Sequence, residues 1–225
     1  WTVPLLQELV KRMAIAYPDR HLALVGFSLG ATTVPDALRR LWVEWVDHTW
    51  DVNIFERVDT VVLASGAHHG VVSFAKECGL NLTMRGTVTC QMGQRNQYTE
   101  TDFARSLNGP PMPSALTEHG EFGGWWETPC ADGDYAYGKR QACGGHVVAY
   151  TTITMQDLPN GTQQDEFVSE HASRLYPTEC ANNLLDSLND FDTSGYFYNG
   201  YFRNHYGSVR SNAGIAKVIA ALEGN

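Results

Sequence analysis

Apolar side chains recur with a helical period in three stretches of the chain. Residues 3–17 place an apolar face on one side of a helix that ends before Pro18. A second helical pattern follows Gly30, and a third covers 211–223, with Ser211 or Asn212 as its cap. The residues forming these three faces are Leu5, Leu6, Leu9, Val10, Met13 and Tyr17; Leu38, Leu41, Trp42 and Trp45; and Ile215, Val218, Ile219 and Leu222.

Short, continuous apolar runs separate these helical stretches and predict strands. The runs at 22–27, 59–65 and 147–154 are typical of strands buried on both faces of a parallel sheet. A fourth strand is predicted around 195–202, where aromatic residues alternate with Gly and Asn. Strands that alternate with helices indicate an α/β fold with a largely parallel sheet flanked by helices.

The stretch 70–145 breaks this alternation. It contains more than half of the 21 glycines and four of the five cysteines, and it shows no clear period. A compact domain rarely carries so long an irregular segment unless the segment is functional. We therefore predict a core made of 1–69 and 146–225, with 70–145 as a lid or cap insertion.

Composition narrows the possible functions. The chain has 225 residues, a net charge of −9 and 43% hydrophobic residues, which is typical of a globular protein. A pI near 5.3 argues against the basic footprint of a nucleic-acid-binding protein, and no apolar run is long enough for a membrane span.

The cysteines indicate an oxidising compartment. They form no Cys-x-x-Cys pair, and their clustering in an irregular stretch is typical of disulfides in a secreted or periplasmic protein. We predict the pairs Cys78–Cys90 and Cys130–Cys143, although spacing alone does not determine connectivity. Cys180 is then a free thiol or the partner of a cysteine outside this chain.

The sequence Gly26-Phe27-Ser28-Leu29-Gly30 carries the strongest chemical signal. It follows an apolar strand and precedes a helix, which is the context of a G-x-S-x-G nucleophile elbow. The glycines relieve crowding at a sharp turn, and the serine hydroxyl projects above the edge of the sheet. The N–H of Leu29, at the start of the helix, is then a natural donor to an oxyanion.

At this motif the chain resembles the α/β-hydrolase superfamily, in its lipase and esterase branch. The resemblance implies that an acid and then a histidine follow the serine in chain order. Asp165, in Asp165-Glu166-Phe167-Val168-Ser169, is our favoured acid, and Asp157, closer to the strand end, is the alternative. Of eight histidines, His205 alone lies between the fourth predicted strand and the last helix, in a polar stretch that we predict to be a loop.

The implied activity is hydrolysis of carboxylic esters through a Ser28-His205-Asp165 triad and an acyl-enzyme, with no metal or organic cofactor. We assign five residues to a substrate pocket that takes an apolar acyl or aromatic group: Phe27, His68, His69, Trp125 and Trp126. For His68 and His69 the alternatives are a purely structural role, which we prefer, and a metal site, which we do not favour. For Trp125 and Trp126 the alternative is a small core beneath the insertion.

Two further functions stay open. An extracellular polyester depolymerase, such as a polyhydroxyalkanoate depolymerase, shares the fold and the triad. A catalytically silent binding module would share the fold alone, because fold does not fix function.

The superfamily's sheet has several strands before the elbow, whereas one helix precedes it here. We therefore expect the strand at 22–27 to lie at an edge, and we expect an N-terminal segment or second chain of the same protein to cover it.

Overall fold

The computed structural model describes residues 2–68, 71, 92, 139–141, 147–155, 168, 173, 182–186, 197–198, 201–202 and 204–224. The elements in chain order are α1 (Thr2–Ala16), β1 (Leu22–Phe27), α2 (Leu29–Val46), a 3-10 turn (Ile54–Glu56), β2 (Val58–Ala64), β3 (Lys139–Gln141), β4 (Val147–Met155), β5 (Asn182–Asp186), β6 (Phe197–Tyr198), β7 (Tyr201–Phe202), α3 (Asn204–Arg210) and α4 (Asn212–Leu222).

The main sheet is mixed but mostly parallel. Strand β2 lies between β1 and β4, parallel to both, and β5 runs parallel to the second half of β4. The short β3, which belongs to the predicted insertion, pairs antiparallel with the start of β4. The carboxyl ends of the parallel strands meet at one edge, where open α/β sheets bind their ligands.

Helices cover both faces of this sheet, and the alternation of side chains along β2 shows why. Val61 and Leu63 are buried against a cluster that includes Leu38 and Leu41 of α2. On the opposite face, Val62 and Ala64 pack with Ile153 and with Ala221 of α4. The core is therefore built from a strand that is apolar on both faces, as its continuous apolar run predicted.

The apolar face of α2 is buried against the sheet. Leu38 and Leu41 are both 0% exposed, and each contributes about 1.5–3 kcal/mol relative to an exposed side chain. At the other end of the chain, Ser211 caps α4 by accepting a hydrogen bond from the N–H of Gly214 at 2.9 Å. The predicted cap of the last helix is thus confirmed at Ser211.

Two predicted features near the C-terminus are wrong. The stretch 195–202 does not form one strand of the main sheet; it forms β6 and β7, which pair antiparallel with Tyr198 opposite Tyr201. The fourth parallel strand is β5, whose sequence Asn-Asn-Leu-Leu-Asp has no apolar run to indicate it. The polar stretch around His205 is the helix α3 and not a loop.

Candidate active site

Ser28 occupies the turn between β1 and α2 in a strained backbone conformation. Its φ is 55° and its ψ is −125°, a combination that residues with a side chain rarely adopt. The turn is anchored on one side, since the Ser28 N–H donates to the carbonyl of Ala64 at 2.9 Å. On the other side the Ser28 carbonyl accepts from the N–H of Ala31 at 3.0 Å. Strain held by its surroundings in this way is concentrated at functional sites.

The two glycines of the motif differ in the space around them. A Cβ at Gly26 would lie 2.6 Å from the Cα of Ala31 and 2.7 Å from the carbonyl oxygen of Gly30. A Cβ at Gly30 would meet no heavy atom within 4 Å beyond the backbone of its own helix. The expected relief of crowding therefore applies to Gly26 and does not apply to Gly30.

His205 comes from the second position of α3 and faces Ser28. Its Nε2 lies 2.8 Å from the Ser28 Oγ, although 177 residues separate the two along the chain. His205 is buried, with only 5% of its surface exposed. When the proton of the neutral imidazole is on Nδ1, the Ser28 hydroxyl donates to Nε2, which is the arrangement needed to remove the serine proton.

Aromatic packing limits the rotation of the His205 ring. The ring of Phe27 lies 5.1 Å from it between centroids, and the ring of Tyr206 meets it edge-on at 5.7 Å. The guanidinium of Arg210 lies over the ring of Tyr206, 4.9 Å from its centroid. The imidazole is thus held between side chains from β1 and α3.

Leu29 is the first residue of α2, so its N–H has no acceptor within the helix. It follows Ser28 directly and lies at the positive end of the helix dipole. Its position matches the oxyanion donor expected from the motif.

A cavity of about 300 Å³ opens beside this pair. Part of its lining is a buried apolar cluster of Ala67, Val71, Met92 and Val168. The described residues that line the cavity are Ser28, Leu29, Thr32, Ser65, Ala67, Val71, Met92, Val168, His205 and Tyr206. None of these described lining residues is an Asp, Glu, Lys or Arg.

Two of the predicted pocket residues are described, and neither is among the described residues lining this cavity. Phe27 packs beneath the ring of His205. His68 is fully buried, and its ring lies so near Gly66 that a Cβ there would be 2.5 Å from Nε2. Their contact with substrate stays a prediction.

The other predicted site residues lie outside the described part of the chain. These are Asp165, Asp157, His69, Trp125 and Trp126, together with the five cysteines. No part of the predicted disulfide pattern or of the choice between the two acids is therefore tested.

Several lining residues were not predicted from the sequence. Ser65 offered a usable signal, because it directly follows the buried strand β2 at the ligand-binding edge of the sheet. Val71, Met92 and Val168 are distant in sequence, and no pattern joins them. Thr32, one turn after Ser28 on α2, accepts the N–H of Ala67 at 3.2 Å and so fixes the cavity wall.

Comparison with known proteins gives limited similarity. No protein-family model matches the sequence, and no curated protein matches it. Among solved structures, the fold is similar to that of a Bacillus licheniformis lipase, BlEst2, in its mature form, with a TM-score of 0.42 and 17% identity. The similarity covers 81% of this chain and 63% of that one, so this chain spans less than two thirds of the lipase's length.

Within the described ranges, no helix is both long enough and apolar enough to cross a membrane. The same ranges contain no group of three or more His, Cys, Asp or Glu side chains arranged to hold a metal ion.

Proposed function

We propose that this protein is a serine hydrolase that cleaves carboxylic esters with an apolar acyl or aromatic group. The observation that carries the proposal is the 2.8 Å contact between the Ser28 Oγ and the His205 Nε2, made where a strained strand-to-helix turn opens into an apolar cavity. A nucleophile within hydrogen-bond reach of its base is the signature of nucleophilic catalysis.

In the first half of the proposed reaction, Nε2 of His205 takes the proton of Ser28 while Oγ bonds to the ester carbonyl carbon. The carbonyl oxygen becomes an oxyanion, which the N–H of Leu29 and the end of the α2 dipole stabilise. The carbon–oxygen bond to the alcohol then breaks as His205 returns its proton to the leaving alkoxide, and the acyl group stays on Ser28.

In the second half, a water molecule takes the place of the alcohol. His205 accepts one proton of the water, the hydroxide oxygen bonds to the acyl carbon, and the bond to Ser28 Oγ breaks as that oxygen regains a proton from His205. The carboxylic acid leaves and the enzyme is restored. The two halves use the same groups in reverse order, so the chain's own residues suffice for the cycle.

Asp165 is our proposed partner for the Nδ1–H of His205, and Asp157 is the alternative. Changing the true partner to Asn leaves the shape intact but favours the wrong imidazole tautomer, which costs about 10⁴-fold in kcat. Asp165→Asn and Asp157→Asn are therefore each other's matched control. Equal, mild effects of both changes on kcat would remove both residues from the proposal.

The substrate preference rests on the cavity. Ala67, Val71, Met92 and Val168 offer an apolar wall of 2–8% exposure, which suits an uncharged acyl or aromatic group. Val71 and Met92 belong to the predicted insertion, which supports the proposal that 70–145 covers the site. Secretion and the disulfides Cys78–Cys90 and Cys130–Cys143 are part of the same proposal.

The experiment is labelling with a fluorophosphonate probe, which phosphonylates a serine only when a neighbouring base activates it. We expect one adduct, mapped by mass spectrometry to Ser28, and hydrolysis of p-nitrophenyl esters. Ser28→Ala and His205→Ala should each remove the adduct and lower kcat by about 10⁴-fold or more. Thr33→Ala, a change of a nearby α2 hydroxyl outside the cavity lining, is the control and should retain both.

The competing functions give different results in the same experiment. A binding module would bind no probe at Ser28 and hydrolyse no ester. A polyester depolymerase would be labelled at Ser28 but would release soluble acid from a polyhydroxyalkanoate film faster than from emulsified triglyceride.

A further inference from the structure

Ser65 follows β2 as Ser28 follows β1, and like Ser28 it has a positive φ. Its φ is 49°, in the left-handed region that disfavours residues with a side chain. Its N–H donates to the carbonyl of Ile153 at 2.7 Å, just as the Ser28 N–H donates to the carbonyl of Ala64. Strain at a serine, where glycine would be relaxed, indicates that the side chain itself is needed there.

The hydroxyl of Ser65 lies in a buried network with α3. It is 2.9 Å from the Oγ of Ser208 and 3.3 Å from the carbonyl oxygen of His205. Ser208 Oγ in turn lies 3.2 Å from that carbonyl oxygen. The hydrogens fit one chain of bonds, in which Ser65 donates to Ser208 and Ser208 donates to His205.

Both serines are 0% exposed, so their hydroxyls gain nothing from bulk water. A buried hydroxyl left without a partner costs about 1–3 kcal/mol, and the network is therefore directional in a way that apolar packing is not. Phe27 and Val209 also pack at this junction, but apolar contacts alone would let α3 slide along the sheet. The two hydroxyls add directional contacts that restrict this sliding.

The residues at the end of β2 thus contact the backbones of both Ser28 and His205. The carbonyl of Ala64 accepts the Ser28 N–H, while the hydroxyl of the next residue, Ser65, is linked to the backbone of His205. A single dipeptide, Ala64-Ser65, is thus bonded to the backbones of both Ser28 and His205. Small errors in the distance between the serine Oγ and the imidazole Nε2 are costly, since a misplacement of about 1 Å can reduce a rate by about 10²-fold.

We propose that Ser65 and Ser208 are positioning residues, which act together through the His205 backbone to set the imidazole against Ser28. The proposal rests on the proposed function, because it concerns the rate at which that pair reacts. Ser65 also lines the cavity, so the experiment must separate positioning from contact with substrate.

Three variants test the proposal: Ser65→Gly, Ser65→Ala and Ser208→Ala. Ser65→Gly is the sharpest, because glycine adopts a φ of 49° without strain and so removes the hydroxyl without disturbing the turn. We expect kcat on p-nitrophenyl butanoate, and the rate of fluorophosphonate labelling, to fall about 10- to 100-fold in each variant, with KM within about twofold of the original.

The double variant Ser65→Gly with Ser208→Ala should be no slower than the slower single variant, because the hydroxyls act as one unit. Asn53→Ala is the control, a buried polar side chain before the start of β2 whose oxygen accepts from the N–H of Phe55, away from the site. It should lower the melting temperature and leave kcat unchanged.

Three results would overturn the proposal. The first is unchanged kcat in Ser65→Gly and Ser208→Ala. The second is a rise in KM at constant kcat in the Ser65 variants, which would make Ser65 a substrate contact. The third is a loss of kcat in Ser65→Ala that Ser65→Gly does not share, which would assign the effect to the backbone. Absence of labelling in the original protein would instead reject the proposed function.

Discussion

The glycines two residues before and after Ser28 differ in whether a side chain would fit at their positions. Gly26 faces backbone atoms of α2 at distances that no Cβ tolerates, whereas Gly30 faces open space. The G-x-S-x-G motif specifies glycine at both positions, but steric crowding requires it only at Gly26.

We therefore predict opposite effects for two identical substitutions. Gly26→Ala should force β1 and α2 apart, lowering the free energy of unfolding by about 1–3 kcal/mol and slowing the labelling of Ser28. Gly30→Ala lies inside α2 and should raise stability by about 0.5–1 kcal/mol without affecting labelling. Urea unfolding measures the first quantity and fluorophosphonate labelling the second. Equal effects of the two changes would contradict the prediction.

Among single residues, the sequence was sufficient to identify Ser28 and His205 as candidates. The short motif identifies Ser28, and the order of residues in the chain identifies His205. For Ser65 the sequence could indicate only its place after β2, and not its backbone conformation or the contacts of its hydroxyl. A left-handed serine has no signature in sequence, and the partner of its hydroxyl, Ser208, lies 143 residues away. Hydroxyl networks form from tertiary contacts, which a local pattern does not encode.

Among the elements, those with strong local signals were predicted closely. Continuous apolar runs indicated β1, β2 and β4, and a helical period with a serine cap indicated α4. The short elements were missed for physical reasons. Strand β5 has polar ends and only two leucines, and α3 has seven residues, about two turns, with Gly207 inside it. Such elements are stable only through packing.

The hairpin of β6 and β7 did have a local signal. Asn199-Gly200 lies between two aromatic pairs, and an Asn-Gly dipeptide is a strong indication of a two-residue hairpin connection. This dipeptide favours a hairpin over the single long strand that the alternation of aromatic residues indicates.

The packing of α3 on α4 carries the second prediction. A Cβ at Gly214 would lie 2.4 Å from the carbonyl oxygen of Gly207, so the helices touch through their backbones. Gly214→Ala should displace α3, and with it His205, lowering kcat by about 10-fold or more and stability by about 1–3 kcal/mol. Ile215→Ala, at a neighbouring position of α4 that is 41% exposed, is the control and should change neither. Full activity in a folded Gly214→Ala variant would show that α3 is positioned without this contact.

For the whole molecule, the cavity sets the third prediction, the length of the acyl chain. Its volume of about 300 Å³ lies at the small end of the range for ligand pockets, about 300–1,000 Å³, which favours a short acyl group. In a series of p-nitrophenyl esters, kcat/KM should be highest for acyl groups of about four to six carbons and at least about 10-fold lower for twelve. A maximum at twelve carbons or more would contradict this.

Met92 closes the cavity and provides a direct check of the same prediction. Met92→Ala should move the preferred chain length upwards by about two carbons, because it removes three non-hydrogen atoms from the wall. Met13→Ala is the matched control, since Met13 lies on α1 and is 39% exposed. It should leave the chain-length profile unchanged.

The open edge of the sheet sets the fourth prediction. Within the described part of the chain, β1 is an end strand, and Val25 is 47% exposed on it. An exposed apolar edge favours association with another strand, so this 225-residue chain should self-associate at high concentration. Val25→Lys should reduce light scattering without changing kcat, whereas Leu5→Lys, the same charge placed on a 70% exposed position of α1, should have less effect.

The backbone N–H groups of Ser28 and Ser65, which directly follow β1 and β2, hydrogen-bond to the neighbouring strands and so extend the sheet's hydrogen-bond ladder into the site. In hydrogen exchange, the amides of Ser28 and Ser65 should therefore be protected as long as those of the central strand, although both lie at its rim. On heating, esterase activity should disappear in the same transition as the sheet and not before it. The proposed activity should then keep its full rate up to the temperature at which the protein unfolds, because folding of the sheet already places the residues that the reaction requires.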